Sequence, residues 1–372
     1  MIMQNEIRIL HMISSLNIGG SQAFVMNLYR NIDRNLIQFD FIIDHPNELY
    51  FKEEIEELGG RVYSLPGFNG FNIGEVKKAW NRFFREHPDY RILHSHTRSY
   101  ASLYLPIAKK NGLKTIIHSH STSNGTGAKA LIKKVLQYPL RYQADYLFAC
   151  SEISGEWLYG KRAIKKENYK MIPNAIDVGK YTFSNKNRSE IRKEFNIPNG
   201  DIVLGHVGRF HEAKNHLFLL DVFYMYNKRH SNAKLLLVGD GELRKVIENR
   251  INELGLCRSV IMTGAKNDVN RLLSAMDYFL FPSIWEGLPV AVVEAQAAGL
   301  PCFVSNTVTK DVAVSSLVKY LTIKDGVECW VDEIENTPLT KTDVSSQISE
   351  AGFDMKETSK ELSNFYKELF YA

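Results

Sequence analysis

The sequence predicts an α/β protein made of two doubly wound domains, each a parallel sheet covered by helices. The chain has 372 residues, which is more than one hydrophobic core usually supports, so two domains are expected. Short apolar runs alternate with amphipathic segments in two successive series, and such alternation is typical of βαβ units. A polar segment rich in Pro, Asn and Lys separates the two series and has the composition of a linker.

In the first series the predicted strands are short apolar runs, and the predicted helices repeat apolar residues every three or four positions. The strands are expected at Ile7–Ile13, Phe39–Asp44, Arg61–Leu65, Ile92–Ser95, Thr115–Ser119 and Tyr146–Cys150. The helices are expected near Gln22–Arg30, Phe51–Leu58, Ile73–Glu86, Ala101–Lys110 and Lys129–Tyr142.

The second series is clearest before Tyr320, after which polar residues interrupt it. Its strands are expected at Asp201–Gly208, Ala233–Gly239, Ser259–Gly264, Tyr278–Pro282 and Pro301–Ser305. The tail Met355–Tyr371 has the pattern of one amphipathic helix. The predicted limits are an N-terminal domain at 1–171, a linker at 172–190, a C-terminal domain at 191–354 and a final helix at 355–372.

Composition excludes several classes of protein. Hydrophobic residues make up 44% and charged residues 24%, as in ordinary globular proteins. The four cysteines lie far apart without metal-ligand spacing, which fits a reducing compartment. No run approaches the roughly 20 apolar residues of a membrane span, and the first strand has no long apolar signal region before it. We therefore expect a cytoplasmic protein, either free or bound peripherally at the inner face of the cell membrane.

Positive charge is concentrated in the first half, where residues 1–180 hold 24 Lys and Arg against 17 Asp and Glu. No acidic residue lies between Asp89 and Asp145, and Lys129–Arg141 has lysines between apolar residues at helical spacing. Such a segment can lie on an anionic membrane surface. It can equally be a solvated helix face, and both alternatives stay open. No nucleic-acid-binding motif accompanies the basic residues.

The stretch that says most about function follows the predicted strand Tyr278–Pro282. Glu286 and a glycine turn come first, and Glu294 lies in the early turns of the next helix. Ligands of open α/β sheets bind at the carboxyl ends of strands, and a helix N-terminus there favours phosphate. Because carboxylates accept hydrogen bonds from hydroxyls, the two glutamates suit a polyol beside a phosphate, as in a nucleotide-sugar. An ordinary strand–turn–helix unit is the alternative.

Arg209 ends another predicted strand, and Lys214 follows at the start of a helix. Two cations at a helix N-terminus suit the charge of a leaving nucleoside diphosphate. The alternative is a pair of solvated side chains. Gly19 and Gly20 precede the first helix and permit positive φ and close approach to a ligand. They do not form G-x-G-x-x-G, which argues against a dinucleotide-binding dehydrogenase.

Two His-Ser-His triplets, His94–His96 and His118–His120, each close a predicted strand, where alternation turns both histidines to one face. Histidine is the commonest metal ligand. No carboxylate or cysteine at ligand spacing completes a site here, and the chain contains no Asp-X-Asp, so no metal and no cofactor are expected.

Several of these stretches together resemble the retaining glycosyltransferases of family four, which have the GT-B fold. Pro282–Pro289 with Glu294 is similar to the family's E-x7-E region, and Gly205–His216 to its G-R-x-x-x-x-K-G/N block. The other matches are Leu235–Glu242 to the strand–G-x-G–helix element, Ile172–Asp177 at the domain junction, and Gly19-Gly20 near the N-terminus. They occur in family order and span nearly the whole chain.

The resemblance implies two Rossmann-like domains facing across a cleft, with the last helix crossing back to the acceptor-binding N-terminal domain. It assigns the diphosphate to Arg209 and Lys214, the ribose to Glu294 and the donor sugar to Glu286. The remaining implied contacts are His120 with the donor sugar, His96 with the acceptor, His118 in support, and Gly287, Leu288 and Pro289 in the loop facing phosphate and sugar. The implied reaction retains anomeric configuration and needs no metal.

The expected function is transfer of a hexosyl or N-acetylhexosaminyl group from a nucleoside-diphosphate sugar, such as a UDP-sugar, to a saccharide acceptor. Leu321–Ile323 with Glu328–Trp330 resembles enzymes of capsular and exopolysaccharide clusters. Together with the basic stretch from Tyr90 to Ala144 and the amphipathic segment Lys129–Arg141, this resemblance leads us to expect a lipid-diphosphate-linked acceptor. Residues 305–311 lack the family's S-x-x-G-G-x-x-E, which leaves contacts from that loop open. The alternatives are a nucleotide-sugar 2-epimerase on the same fold and a catalytically silent nucleotide-sugar-binding partner subunit.

Overall fold

A computed structural model of the chain describes residues 6–17, 19–121 and 128–372. These residues divide into two units, one formed by Met1–Ala175 with Met355–Ala372 and the other by Ile176–Asp354. Each unit has its own parallel sheet and its own hydrophobic core. The prediction of an α/β protein with two doubly wound sheets is confirmed.

The strands are short and mostly buried, because helices cover both faces of each sheet. They are β1 (Ile7–Met12), β2 (Ile37–Ile43), β3 (Val62–Ser64), β4 (Ile92–Ser95), β5 (Lys114–Ser119), β6 (Tyr146–Ala149), β7 (Tyr169–Met171), β8 (Ile202–Val207), β9 (Ala233–Val238), β10 (Val260–Gly264), β11 (Tyr278–Phe281), β12 (Cys302–Ser305) and β13 (Val318–Leu321). The first sheet has the order β3-β2-β1-β4-β5-β6-β7 and the second β10-β9-β8-β11-β12-β13. Every neighbouring pair is parallel.

The helices connect the strands and cover the sheets. They are α1 (Gly20–Asn31), α2 (Lys52–Glu57), α3 (Ile73–Glu86), α4 (Leu105–Lys110), α5 (Ala128–Gln137), α6 (Leu140–Gln143), α7 (Glu152–Tyr159), α8 (Val178–Tyr181), α9 (Asn185–Glu194), α10 (His216–Arg229), α11 (Arg244–Glu253), α12 (Val269–Ala275), α13 (Val290–Ala297), α14 (Gly326–Glu335), α15 (Ser345–Glu350) and α16 (Met355–Tyr371). Within the described ranges, no helix combines the length and apolarity that a bilayer span requires.

The last helix, α16, belongs to the first unit, as predicted. Its apolar face enters the core there through Leu362, Phe365, Tyr366 and Leu369. It packs against α1 and against strands β1 and β4. Burial of this apolar stripe is what holds the end of the chain on the first sheet.

The segment 172–190, expected to be a linker, contains α8 and the start of α9 in the second unit. Ser184 caps α9, since its hydroxyl accepts a hydrogen bond from the Asn187 amide. Arg188 and Arg192 of the same helix bind the carboxylate of Asp277 at 2.7 Å. The polar composition therefore reflects a helix N-terminus and an ion-pair network. Similarly, the helix expected at Lys129–Tyr142 is two helices, α5 and α6.

Candidate active site

The predicted donor residues of the second unit lie where β8 and β11 end. These strands are parallel neighbours, with Tyr278 paired to Leu204 and Phe279 to Gly205. Their carboxyl ends therefore meet at one edge of the sheet. The loop after β8 carries Arg209 and Lys214, and the loop after β11 carries Glu286.

Lys214 and Glu286 join these two loops. The Nζ atom of Lys214 lies 2.6 Å from Oε1 of Glu286, and the two side chains are 18% and 13% exposed. The ammonium group also lies 4.6 Å from the centre of the Phe281 ring at the end of β11. Between the loops, the Ile284 amide donates to the Ala213 carbonyl at 2.8 Å. The structure thus brings together two residues that are 72 positions apart in sequence.

Two neutral histidines lie beneath this ion pair. His206 Nδ1 donates to the Leu280 carbonyl at 2.8 Å, and the rings of His206 and His216 are 4.9 Å apart. Burial holds the pKa of His206 well below its ordinary value, and the neighbouring His216 and Lys214 lower it further. Burial also lowers the pKa of His216 to about 4. The fixed positive charge under Glu286 is therefore that of Lys214.

The G-x-G element after β9 shapes this site through backbone packing. Gly239 has φ of +143°, and a Cβ atom there would lie 2.0 Å from the Gly208 carbonyl oxygen. A Cβ atom on Gly241 would lie 2.6 Å from the Phe210 carbonyl oxygen. Only glycine permits this approach. The two glycines thus support the loop that carries Arg209.

Arg209 is 72% exposed, and its Nη2 lies 3.2 Å from Oε2 of Glu242. His211 Nε2 lies 3.6 Å from the same carboxylate. The pKa of Glu242 is lowered by a hydrogen bond from its own backbone amide and by the charges of Arg209 and His211. The partner of Arg209 is therefore Glu242, an acidic residue that the sequence did not indicate. Its position directly after a G-x-G pattern was the available signal.

The loop from Glu286 to Pro289 leads into α13, which begins at Val290. Pro289 occupies the N-cap position and has no side-chain acceptor, so it leaves the first amides of the helix uncapped. Leu288 is buried beneath this turn. Gly287 and Pro289 thus shape a turn whose amides resemble an anion-binding helix start.

Glu294 lies further along α13 and contacts the short helix α8. Burial raises the pKa of its carboxyl, while the hydrogen bond from the Tyr181 hydroxyl and the nearby charge of Lys180 oppose that rise. Tyr181 lies in the segment 172–190 that the sequence predicts to be a linker, so this contact was not predicted. The structure sets the predicted ribose-binding carboxylate in a fixed, partly buried position.

The loop that lacks the family's glycine-rich pattern is tied to the site by a threonine. Thr307 Oγ1 donates to the Ser283 carbonyl at 2.7 Å, just before Glu286. Ser305 Oγ lies 2.8 Å from the same hydroxyl. These bonds anchor the loop after β12 to the loop after β11.

The predicted histidines of the first unit form one cluster at the ends of β1, β4 and β5. His96 bonds to both His11 and His120, at 3.0 and 2.8 Å between ring nitrogens. His120 Nδ1 lies 2.9 Å from Asn174 Oδ1. The His118 ring stacks on that of His120, with ring centres 4.0 Å apart.

Two sets of three histidines bring ring nitrogens within 4.8 Å of one another, His11 with His94 and His96, and His96 with His118 and His120. Such a set has the donor chemistry of a transition-metal site. The hydrogen bonds of His96 with His11 and His120 already account for much of this proximity. His94 bonds instead to the Tyr366 hydroxyl at 2.7 Å, so bonds between histidines explain only part of the two sets.

Neither Gly19 nor Gly20 adopts the positive φ that glycine permits. Gly19 caps α1 with φ of −168°, which is extended backbone open to any residue. A Cβ atom on Gly20 would meet nothing within 4 Å. The conformational freedom of glycine is therefore not used at either position, because α1 starts from an extended segment. The atoms nearest to a Cβ atom on Gly19 would belong to the flexible side chain of Gln22.

Two protein families match the chain, one on each half. The family described as Glycosyltransferase Family 4 matches residues 18–180, and the family described as Glycosyl transferases group 1 matches residues 187–338.

Three relatives illustrate the similarity. EpsF of Bacillus subtilis (strain 168), named as a glycosyltransferase, is 31% identical and the match covers 96% of each chain. The UDP-Gal:α-D-GlcNAc-diphosphoundecaprenol α-1,3-galactosyltransferase of Escherichia coli is 27% identical over 58% of each chain. The capsular polysaccharide biosynthesis glycosyltransferase CapH of Staphylococcus aureus is 24% identical, covering 97% of this chain and 98% of its own.

Among solved structures, HepE of Anabaena in complex with UDP and glucose superimposes with a TM-score of 0.78. The match covers 98% of this chain and 100% of HepE at 18% identity, which shows a shared fold.

Proposed function

The chain belongs to the GT-B glycosyltransferases of family four, and from this premise we propose that it moves a sugar from a UDP-sugar to a lipid-diphosphate-linked saccharide. The sugar is a hexosyl or N-acetylhexosaminyl group, and the product enters bacterial capsular or exopolysaccharide synthesis. The reaction retains the anomeric configuration and requires no metal. The observation that carries this proposal is the Lys214–Glu286 pair at the end of β8 and β11.

The pair supports a role in donor binding because it places a cation and a sugar-binding carboxylate in contact. A leaving diphosphate needs positive charge, and a sugar hydroxyl needs an acceptor. Glu286 supplies the acceptor and at the same time orients the Lys214 ammonium group. Arg209 is exposed at the same strand end and adds a second cation by exchanging Glu242 for phosphate oxygens.

In the proposed reaction the bond between the anomeric carbon and the diphosphate oxygen breaks. The acceptor hydroxyl forms its bond to that carbon on the same face, and its proton passes to the departing diphosphate oxygen. Lys214, Arg209 and the first amides of α13 stabilise the negative charge that develops on the diphosphate. Because these groups are all cations or amides, no metal ion is needed to balance that charge.

Glu294 is proposed to bind the ribose hydroxyls of the donor. Its carboxylate is partly buried and accepts a hydrogen bond from Tyr181. A ribose hydroxyl offers the same kind of donor. The ribose therefore either adds to this bond or replaces it, and the fixed position of Glu294 on α13 sets the distance from ribose to diphosphate.

The basic first half supports an acceptor held at a membrane. On α5 and the segment after it, the apolar side chains of Leu131, Ile132, Val135, Tyr138 and Tyr142 are exposed, with Leu131 and Val135 each 66% exposed. Lys133 and Lys134 are exposed on the same helix. The side chain of Lys129 lies outside what the structure describes. Exposed apolar residues interleaved with lysines suit an anionic bilayer, and each Lys or Arg near such a surface contributes about 1 kcal/mol.

The names of two relatives support the proposal, and one of them states a lipid-diphosphate acceptor. The Escherichia coli enzyme takes a diphosphoundecaprenol acceptor, and CapH takes part in capsular polysaccharide biosynthesis. A lipid diphosphate is anionic and is anchored in the bilayer, so a basic amphipathic helix would hold the enzyme beside its substrate. This is the reason for preferring a lipid-linked acceptor over a free sugar.

The proposal is tested by measuring UDP release from a panel of UDP-sugars, with and without a bacterial membrane lipid extract. One donor is expected to release UDP faster with the extract and to leave its sugar in the lipid fraction. Conversion of one UDP-sugar into another without transfer would favour the epimerase. Thermal stabilisation by UDP-sugars without any turnover would favour a silent binding subunit.

A further inference from the structure

Three histidines and one asparagine of the first unit form a continuous hydrogen-bonded chain. His11 Nδ1 lies 3.0 Å from His96 Nε2, His96 Nδ1 lies 2.8 Å from His120 Nε2, and His120 Nδ1 lies 2.9 Å from Asn174 Oδ1. His11 is fully buried and His96 nearly so, while His120 is partly exposed. This series of hydrogen bonds thus runs from the core to the Ile172–Asp177 segment.

The direction of these bonds follows from valence. An amide oxygen only accepts, so His120 Nδ1 must carry the proton that it donates to Asn174. In a neutral imidazole the other nitrogen then accepts, so His120 Nε2 accepts from His96 Nδ1. The same reasoning gives His11 a protonated Nδ1. All three rings therefore share one tautomer, and it is set at the Asn174 end.

The surroundings keep the three rings neutral. Burial lowers the pKa of His11 to about 3 and that of His120 to about 4. Burial also holds the pKa of His96 well below its ordinary value, and the neighbouring His94, His120 and His11 add to that effect. Strict alternation of donor and acceptor along the chain depends on this neutrality.

We propose that Asn174 is a positioning residue that acts through His120, fixing the ring and its tautomer for recognition of the donor sugar. This inference rests on the proposed function and on the contact of His120 with the donor sugar that the family resemblance implies. Both nitrogens of His120 are already bonded, so a ligand hydroxyl must exchange with one partner. A hydroxyl that reaches Nδ1 must accept, and a hydroxyl that reaches Nε2 must donate.

The direction of the hydrogen bonds at His120 would therefore select sugars according to whether one hydroxyl donates or accepts. His96 has the second positioning role, because it donates to His120 Nε2 and holds the ring plane. His11 lies one bond further from the ligand and should affect His120 only weakly. A graded effect on His120, with Asn174 first, His96 second and His11 last, is expected for a hydrogen-bonded series. Rings that are only packed together would not produce this order.

The tautomers are measured directly by two-bond ¹H–¹⁵N NMR of the full chain labelled with ¹⁵N-histidine at pH 7. The signals of His11, His96 and His120 are expected to show protonated Nδ1 and unprotonated Nε2. Assignment uses single His→Gln variants. Protonated Nε2 on His120 in the unmodified protein would overturn the proposal, since it requires the Asn174 amide to be turned by 180°. This measurement needs no activity and no altered fold.

Variants at the two ends then test which end sets the direction. Asn174→Leu removes the acceptor, so His120 should lose its Nδ1 proton preference and the KM for the donor should rise on the order of tenfold, as for one lost hydrogen bond. Asn174→Asp keeps an acceptor at this position, so neutral His120 should keep its proton on Nδ1. The carboxylate also favours the imidazolium form, so the pH profile of kcat/KM should shift to higher pH. His11→Leu should leave the His120 tautomer unchanged.

An unchanged His120 tautomer in folded Asn174→Leu would contradict the positioning role. Should the unmodified chain transfer no sugar at all, the proposed function fails while the tautomer measurement still decides this inference. Folding of each variant is checked by thermal unfolding, with the unmodified chain as reference.

Discussion

The ammonium group of Lys214 lies 2.6 Å from a carboxylate oxygen of Glu286, across two loops that end neighbouring strands. The pair is mostly shielded from solvent, so each charge depends on the other for compensation. A bound diphosphate would compete with Glu286 for Lys214, and a sugar hydroxyl would compete with Lys214 for Glu286. The Lys214–Glu286 contact therefore couples binding of the diphosphate to binding of the sugar.

Replacing Glu286 with Gln is expected to lower the rate of transfer about 10²- to 10³-fold, because a charged contact in the site is lost. The fold should persist, since Gln has nearly the same shape. Transfer is measured as UDP release, and folding as thermal unfolding. Glu328→Gln, on the exposed face of α14, is the matched control and should leave the rate unchanged. Equal rates in the two variants would remove Glu286 from the mechanism.

Arg209→Ala should reduce transfer by a similar factor of roughly 10²–10³, because the diphosphate loses a cation. The companion variant Glu242→Gln releases Arg209 from its present ion pair and should keep most of the activity. Comparison of the two rates distinguishes a role of Arg209 in catalysis from a role of the ion pair in folding. Unchanged turnover in Arg209→Ala would exclude it from the diphosphate site.

Glu294→Gln should stabilise the folded protein at pH 8 while weakening donor binding. Burial raises the pKa of Glu294, so the folded state holds its proton more tightly than the unfolded state does. The free energy of unfolding of the unmodified chain therefore falls as pH rises from the ordinary value of 4.5 through the raised pKa. Gln cannot ionise and avoids this loss.

Thermal unfolding at pH 8 and at pH 4 checks the sign. The variant should have the higher Tm at pH 8, and the difference should become small at pH 4, where Glu294 of the unmodified protein is mostly protonated in both the folded and the unfolded state. A lower Tm for the variant at pH 8 would show that the Tyr181 hydrogen bond outweighs the cost of burying the charge.

Removal of divalent metal is expected to leave transfer unchanged. Two cations and the first amides of α13 are proposed to balance the diphosphate charge, and the chain contains no Asp-X-Asp. The measurement is UDP release after treatment with EDTA, with and without added Mg²⁺ or Mn²⁺. Activity that disappears with EDTA and returns with Mn²⁺ would contradict a metal-independent reaction.

Neutralising Lys129, Lys133 and Lys134 together as Gln should reduce sedimentation with anionic liposomes. Three charges near the surface contribute about 3 kcal/mol to binding at low ionic strength. Raising the salt concentration screens these charges and should also reduce sedimentation. The control variant changes Lys161, Lys165 and Lys166, which are exposed lysines of the same unit outside α5.

Both triple variants lose the same net charge, so a difference between them locates binding at α5. Leu131→Ser with Val135→Ser tests the apolar contribution separately. If the unmodified protein does not bind phosphatidylglycerol liposomes at low salt, the hypothesis of a membrane-bound acceptor is wrong and a soluble acceptor is favoured.

The sequence by itself determined the fold class and most of the strands. Apolar runs and helical spacing are local properties, so Ile73–Glu86 and Met355–Tyr371 were predicted with the bounds that the structure has. The resemblance to family four also came from contiguous motifs. Membership of that family and the two parallel sheets are confirmed.

Local composition was a poorer guide where two structures share one pattern. A linker and the capped start of a helix are both polar, so the composition of residues 184–188 does not distinguish between them. The contact of Arg188 with Asp277 identifies these residues as the start of α9. Residues 318–321 form an edge strand that polar neighbours concealed.

Tertiary structure decided how the site residues are paired. Lys214 with Glu286, Arg209 with Glu242, and His120 with His96 and Asn174 are contacts between distant parts of the chain. Such contacts depend on which strands become neighbours and on the space that side chains leave, and no local pattern encodes either. Charge and hydrogen-bonding capacity are present in the sequence, but packing decides which groups meet, and burial then sets their pKa values.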